Sequence, residues 1–233
     1  MLLFFIRILF DVFLNTLIIF KPLFIVVSIG SIVIGSFSAL KQVRIKRFLA
    51  YTSISQVGFI LLGVSSGNIL GLSASLMYLI LYIIMNILFF TIFLNIEHII
   101  LKKNIVYLSD LYGLSCYTNE TGKHLAVTIL SMAGLPPFGG FIGKLFLYFA
   151  IIEAHLDLVL IISLIMSLIS TYYYLNFVRY LFFEKHSEIK LYYYVKKGEL
   201  TLLLRFCSLF LLTFAMLLPM YIDFFFKLSF SCA

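Results

Sequence analysis

The run Ile69 to Ile96, 28 residues without one charged side chain, limits what this chain can fold into more than any other feature. As a single α-helix it would be ~42 Å long, which overshoots the ~30 Å hydrocarbon layer of a bilayer, so it is expected to tilt or kink. Apolar runs of spanning length also cover Pro22 to Leu40, Phe48 to Ser66, Leu158 to Val178 and Leu200 to Ile222, with a broken run from Leu125 to Ile152. Met1 to Phe20 adds a seventh, poorer run. It has no basic head followed by a small-residue cleavage site, so it reads as a retained span and not as a secretory signal. With 63% hydrophobic and 12% charged residues, the chain has too little polar surface for a water-soluble domain. The fold class expected is an all-α polytopic membrane protein with about seven transmembrane helices.

The charges report topology. Lys41, Arg44, Lys46 and Arg47, then Lys102, Lys103 and Lys123, then Lys185, Lys190, Lys196 and Lys197 occupy three alternate loops, eleven of the 17 basic residues. Lys21 and Lys227 lie on the opposite side, and Arg7, Lys144, Arg179 and Arg205 lie within or at the ends of spans. The bias places the three basic loops on the cytoplasmic or matrix side and the C-terminus outside. The net charge of +7 is thus a topology signal, with no nucleic-acid footprint in it. Cys116, Cys207 and Cys232 show no pairing or metal spacing, and the four histidines are scattered. No glycine-rich phosphate loop, nucleophile and base pair, or cofactor motif appears. Chemistry here must come from titratable side chains in lipid, which narrows the function to transport or scaffolding.

One such side chain is Lys144, inside the broken run and just after the helix-breaking stretch Gly134-Leu135-Pro136-Pro137-Phe138-Gly139-Gly140. An ionisable group at membrane depth is a functional-site hypothesis by default. Unwound backbone there is tolerated where it is buried in protein or lines a hydrated cavity, and a cavity suits a proton path. The competing readings are a lysine that snorkels to the interface and one paired statically with a carboxylate. The position of Lys144 well inside the run argues against snorkelling. Glu153, His155 and Asp157 follow at the outer end, as an acidic proton exit or as a solvated turn that marks the membrane boundary. Ser163, Ser167, Ser170 and Thr171 recur at helical spacing, either as a face that carries water or as small residues for tight packing. Arg7, Asp11 and Asn15 share one helical face, which suits a partner helix or an intrahelical pair.

Two stretches carry a resemblance. Lys41-Gln42-Val43-Arg44-Ile45-Lys46-Arg47-Phe48-Leu49-Ala50-Tyr51-Thr52-Ser53-Ile54-Ser55-Gln56-Val57-Gly58-Phe59 resembles a signature of the antiporter-like subunits of proton-pumping NADH:quinone oxidoreductase, respiratory complex I. Ser131-Met132-Ala133-Gly134-Leu135-Pro136-Pro137-Phe138-Gly139-Gly140-Phe141-Ile142-Gly143-Lys144 is similar to a second motif of that family, in its discontinuous helix. One antiporter-like type carries glutamate where this chain has Lys144, so the lysine points to the chain 2 type. Leu111-Tyr112-Gly113-Leu114 and Tyr172-Tyr173-Tyr174-Leu175 also resemble that type, and the likeness runs over residues 5–222 or so.

The resemblance implies one half of an inverted repeat with a discontinuous helix, in which Lys144 is the proton carrier and Gly134, Pro136, Pro137, Gly139 and Gly140 shape the break. Where another antiporter-like type has histidines and a lysine, this chain has Tyr78, Tyr82 and Asn86; with Ser131, Glu153 and Asp157 these are the candidates for the proton path. It divides the chain into a partial first helix (1–21) that docks a partner chain, a second five-helix repeat (22–183), a matrix-side linker (184–199), and a last helix with its tail (200–233). Redox chemistry is expected elsewhere, with no cofactor or metal bound by this chain. Expected partners are other membrane-arm subunits of complex I, a separate chain carrying the missing first repeat, and lipid. The wealth of Phe, Ile, Leu and Tyr with no Trp fits an AT-rich organellar gene and places the chain in the mitochondrial inner membrane. The alternatives are a subunit of a related cation/proton antiporter and a scaffold that has lost pumping.

Overall fold

A computed structural model of the chain describes residues 14–96, 106–112, 119–136 and 138–183, with the backbone alone for residues 14–19, 95 and 119–121. In order these form α1 (Leu14–Leu40), α2 (Ile45–Ser65), α3 (Ile69–Asn95), a 3-10 turn (Leu108–Leu111), α4 (Asn119–Ala133), α5 (Gly139–Glu153) and α6 (Asp157–Phe182). Among the described residues there is no strand, only an isolated bridge between Arg44 and Tyr107. Four segments are long and apolar enough to cross a membrane: Phe20–Leu40, Ile45–Ser65, Ile69–Leu94 and Asp157–Phe182. α4 and α5 have 15 residues each. At ~22 Å apiece neither is long enough to span the hydrocarbon layer by itself. Residues 1–13, the linker 184–199, the last apolar run 200–222 and Pro137 lie outside the described residues. With them go the first thirteen residues of the docking segment, including Arg7 and Asp11, and the count of seven.

One boundary differs from the sequence reading. α1 continues through Lys21 and Pro22, where a turn between two spans is expected from charge and proline. A lone lysine needs no turn, because its stem can lie along apolar surface while the ammonium reaches polar ground. A proline inside a helix removes one backbone hydrogen bond, and the helix goes on past it. The charge-free run behaves more simply: α3 is helical over its 27 residues. No break interrupts it, which leaves tilt as the way to fit its length.

α1 lies along α2; α3 packs on α2 and α5; α4 packs on α6 and α3. The buried apolar residues fall into two clusters. One gathers Phe48, Phe89, Ile92, Tyr173 and Phe177; the other gathers Phe59, Ile60, Tyr78, Leu147 and Ile151. Large apolar side chains such as Val26, Ile34, Ile87, Leu158 and Leu168 are exposed on the outer faces. In water that would be a liability, but against lipid tails it costs nothing.

Two of the three basic loops meet at one end. The Ile45 N–H donates to the Val106 carbonyl at 3.1 Å and the Leu108 N–H to the Val43 carbonyl at 3.0 Å. Arg44 lies over the Tyr107 ring at 5.9 Å, and Asp110 caps the turn by accepting from the N–H groups of Val106 and Tyr107. At the opposite end, His155 takes a left-handed conformation (φ 55°) that closes α5 and lets α6 turn back.

Candidate functional site

A helix that stops at membrane depth leaves its last four carbonyls without intrahelical partners, and no water is at hand to satisfy them. α4 stops this way, and every one of the four is accounted for. Gly134 adopts φ 79°, a left-handed value that suits glycine. From that turn the Leu135 N–H reaches back to the Leu130 carbonyl at 3.4 Å and the Gly134 N–H to the Ser131 carbonyl at 3.1 Å. The remaining two carbonyls take side-chain donors from other helices. Gln56 of α2 donates its Nε2 to Met132 at 3.3 Å, and Lys144 of α5 donates its Nζ to Ala133 at 3.0 Å. The break is therefore held by a lysine and an amide on neighbouring carbonyls.

Lys144 is 4% exposed. Besides the carbonyl, its ammonium faces the ring of Phe59 at 5.1 Å, an arrangement in which the negative face of the ring attracts a cation. The described carboxylates are engaged elsewhere or are in the open: Asp110 caps its turn, and Glu153 and Asp157 are exposed. Among the described residues the lysine thus has no counter-ion, and it interacts only with dipoles and a ring. One glycine makes room for the lysine and another for the backbone it bonds. A Cβ on Gly134 would lie 3.0 Å from Lys144 Cδ, and one on Gly140 would run into the carbonyl oxygen of Ser131. The close approach of α5 to the end of α4 depends on both.

Gln56, 2% exposed, is the hub of the surrounding polar groups. Its Oε1 accepts from the Tyr78 hydroxyl, while its Nε2 also reaches the Tyr174 hydroxyl at 3.4 Å. Beside it Ser55 and Tyr173 share a hydrogen bond of 3.5 Å. Phe59, one turn beyond Gln56, packs edge-on against the Tyr78 ring with centroids 6.5 Å apart. Its ring also faces the lysine ammonium. Three tyrosines, one serine and one amide therefore form a polar seam within an otherwise apolar interior.

The sequence candidates divide accordingly. Tyr78 belongs to the hub. Tyr82, half-buried, lies about one turn further along α3. Ser131 is buried and donates to the Met85 sulfur at 3.6 Å, while its carbonyl serves the turn at Gly134. Gly139 and Gly140 are buried at the start of α5, and Pro136 is exposed in the break. Glu153 and Asp157 stay apart from the hub, on the exposed turn between α5 and α6. Gln56, Phe59 and the two carbonyls are what residue patterns missed. One signal was available for Gln56: it is the only amide in the run Phe48 to Ser66, and a buried polar side chain in a spanning helix asks for a partner.

Spanning helices packed around a discontinuous one, with an ionisable side chain at the break, define a transporter-type membrane fold. The chain belongs to the NADH:quinone oxidoreductase/Mrp antiporter transmembrane family, whose model matches residues 1–170. It is 40% identical over 163 residues to NADH-quinone oxidoreductase subunit N of Paramagnetospirillum magneticum, covering 70% of this chain and 33% of that protein. It is 34% identical over 199 residues to NADH-ubiquinone oxidoreductase chain 2 of Marchantia polymorpha, covering 85% of this chain and 40% of that one. Among solved structures, a chain of Thermus thermophilus respiratory complex I superimposes with a TM-score of 0.68 at 25% identity, over 87% of this chain and 45% of that chain. A chain of the Mrp complex from Dietzia sp. DQ12-45-1b shares the fold, with a TM-score of 0.76 at 20% identity over 90% of this chain and 47% of that chain. The chain thus spans well under two thirds of the length of these relatives.

Proposed function

We propose that this chain is a proton-translocating part of the membrane arm of an NADH:quinone oxidoreductase, with Lys144 as its proton carrier. The observation that carries this reading is a lysine 4% exposed at a helix break, bonded to one carbonyl and one ring and paired with no described carboxylate. An ammonium out of water is costly unless it is paired. With only dipoles to hold it, a modest change in nearby charge decides whether Lys144 keeps its proton. A lysine locked to a carboxylate would not respond so readily. The curated relatives bear the names of oxidoreductase subunits, which favours that enzyme over a free-standing cation/proton antiporter of the same fold. Redox chemistry in this reading takes place in other subunits, and no cofactor binds here. The partners are neighbouring membrane-arm subunits, with lipid on the exposed apolar faces. The Marchantia relative and the tryptophan-free composition support the mitochondrial inner membrane as the location.

The test is proton translocation per NADH oxidised by the complete complex in sealed vesicles. Lys144→Ala is expected to lower the ratio while the complex still assembles. Lys144→Arg is expected not to restore it, because a guanidinium holds its proton permanently. An unchanged ratio in Lys144→Ala would remove the lysine from the mechanism.

A further inference from the structure

We propose that Gln56 is a positioning residue that gates proton passage along the tyrosine row beside Lys144, between Tyr174 and Tyr78. The proposal rests on the proton-carrier reading of Lys144 and extends it to the groups that decide when the carrier can be reached.

The argument starts from the atoms that Gln56 touches. The Met132 carbonyl can only accept, so the group facing it at 3.3 Å must be the amide nitrogen. That orientation turns Oε1 toward Tyr78, whose hydroxyl must then donate. The same nitrogen donates to the Tyr174 oxygen at 3.4 Å. All the donor directions around the hub are thereby set: Tyr78 to Gln56, and Gln56 to Tyr174 and Met132. A hydroxyl accepts a proton on the same oxygen from which it releases one, so a row of hydroxyls passes a proton and is reset by rotation of each O–H alone. An amide accepts on oxygen and donates from nitrogen. A proton taken up on Oε1 and another lost from Nε2 would leave an imidic acid, which cannot serve again until the amide is restored. With Gln56 in this orientation, the hydroxyl row from Tyr174 to Tyr78 is interrupted at its centre.

The interruption is also tied to the carrier. The carbonyl that orients Gln56 belongs to Met132, and the next one, Ala133, accepts from Lys144. Both are carbonyls of the broken end of α4, and the Gly134 turn holds them in place. A shift of that end which lets the lysine exchange its proton also lengthens the bond that orients the amide. The gate and the carrier thus share one mechanical element, and protons pass only when it moves.

Passive proton entry into vesicles carrying the complete complex, driven by an imposed pH difference with no NADH, reads the gate directly. Gln56→Ser supplies a hydroxyl that relays and space for a water, and it is expected to raise passive conductance several-fold. Gln56→His supplies an imidazole that can also relay, and it serves the same purpose should the serine variant fail to assemble. Gln56→Met matches the glutamine in length without a donor or acceptor; it should lower protons per NADH without raising conductance. Lys144→Ala added to Gln56→Ser should abolish the rise. Wild-type conductance in an assembled serine or histidine variant would overturn the gate, as would a rise that persists without Lys144 or a Gln56→Met complex that translocates normally. The single Lys144→Ala variant judges the carrier reading separately: if it leaves translocation unchanged, that reading fails whatever the Gln56 variants do.

Discussion

Polar side chains are handled in two ways in this molecule. Along α6 the hydroxyls of Ser163, Ser167, Ser170 and Thr171 each donate to a carbonyl three residues earlier in their own helix. On α2 the same is true of Thr52, Ser53 and Ser65, while Ser55 bonds both its own helix and Tyr173 of α6. Around the break the donors instead cross between helices: Gln56 to α4, Lys144 to α4 and Tyr78 to α2. A hydroxyl that bonds its own helix is satisfied wherever the helix goes, so it imposes nothing on the fold and suits close packing. A donor that depends on another helix is satisfied only when both are in place. Its bond both reports and restrains their relative position. The serine face of α6 therefore reads as packing surface, and the seam at Gln56 as the part of the molecule that senses movement.

The largest effect that would test this division is expected at Gly140. A methyl group there would occupy the place of the Ser131 carbonyl oxygen, so Gly140→Ala should force α4 and α5 apart. Assembly of the complex, followed on native gels, should fall to a small fraction of wild type; normal assembly would show that the break does not need this approach. Gly134→Ala comes next. A residue other than glycine at φ 79° is strained by about 1–3 kcal/mol, and the added carbon would lie 3.0 Å from Lys144 Cδ. Some complex should still assemble, but with fewer protons per NADH, as expected if the lysine is displaced. Unaltered translocation would separate the turn from the carrier.

Tyr78→Phe should be milder. It removes the donor to Gln56 and leaves a buried amide oxygen unpaired, a cost of about 1–3 kcal/mol. Thermal stability of the complex should drop measurably, together with translocation. The smallest effect belongs to Ser170, whose hydroxyl is buried yet bonds only its own helix, at 2.6 Å. Ser170→Ala should leave stability within about 0.5 kcal/mol and translocation untouched, since it breaks no contact between helices. If it cost as much as Tyr78→Phe, the distinction between self-bonded and cross-helix groups would collapse.

Much of this was legible along the chain. Ile69 to Ile96 had to be a long helix, because a charge-free stretch of that length has no other way to satisfy its backbone in lipid. The glycines and prolines from Gly134 to Gly140 announced an interruption, and Lys144 stood out because it is the one lysine deep inside an apolar run. These are local properties, read within one or two turns. The passage of α1 through Lys21 and Pro22 was not legible, since a single charge and a single proline permit either a turn or a continuous helix, and the rest of the packing decides.

Where the helix breaks and which ionisable group sits at the break can be read along the chain, because each follows from the cost of exposing charge or backbone to lipid. What that break is joined to depends on how the helices pack. Gln56 and Met132 are 76 positions apart, and Gln56 and Tyr174 are 118 apart. Nothing in the neighbourhood of a glutamine says which carbonyl it will meet. That pairing arises when α2, α4 and α6 pack together, for there the two carbonyls left over at the end of α4 meet donors on other helices.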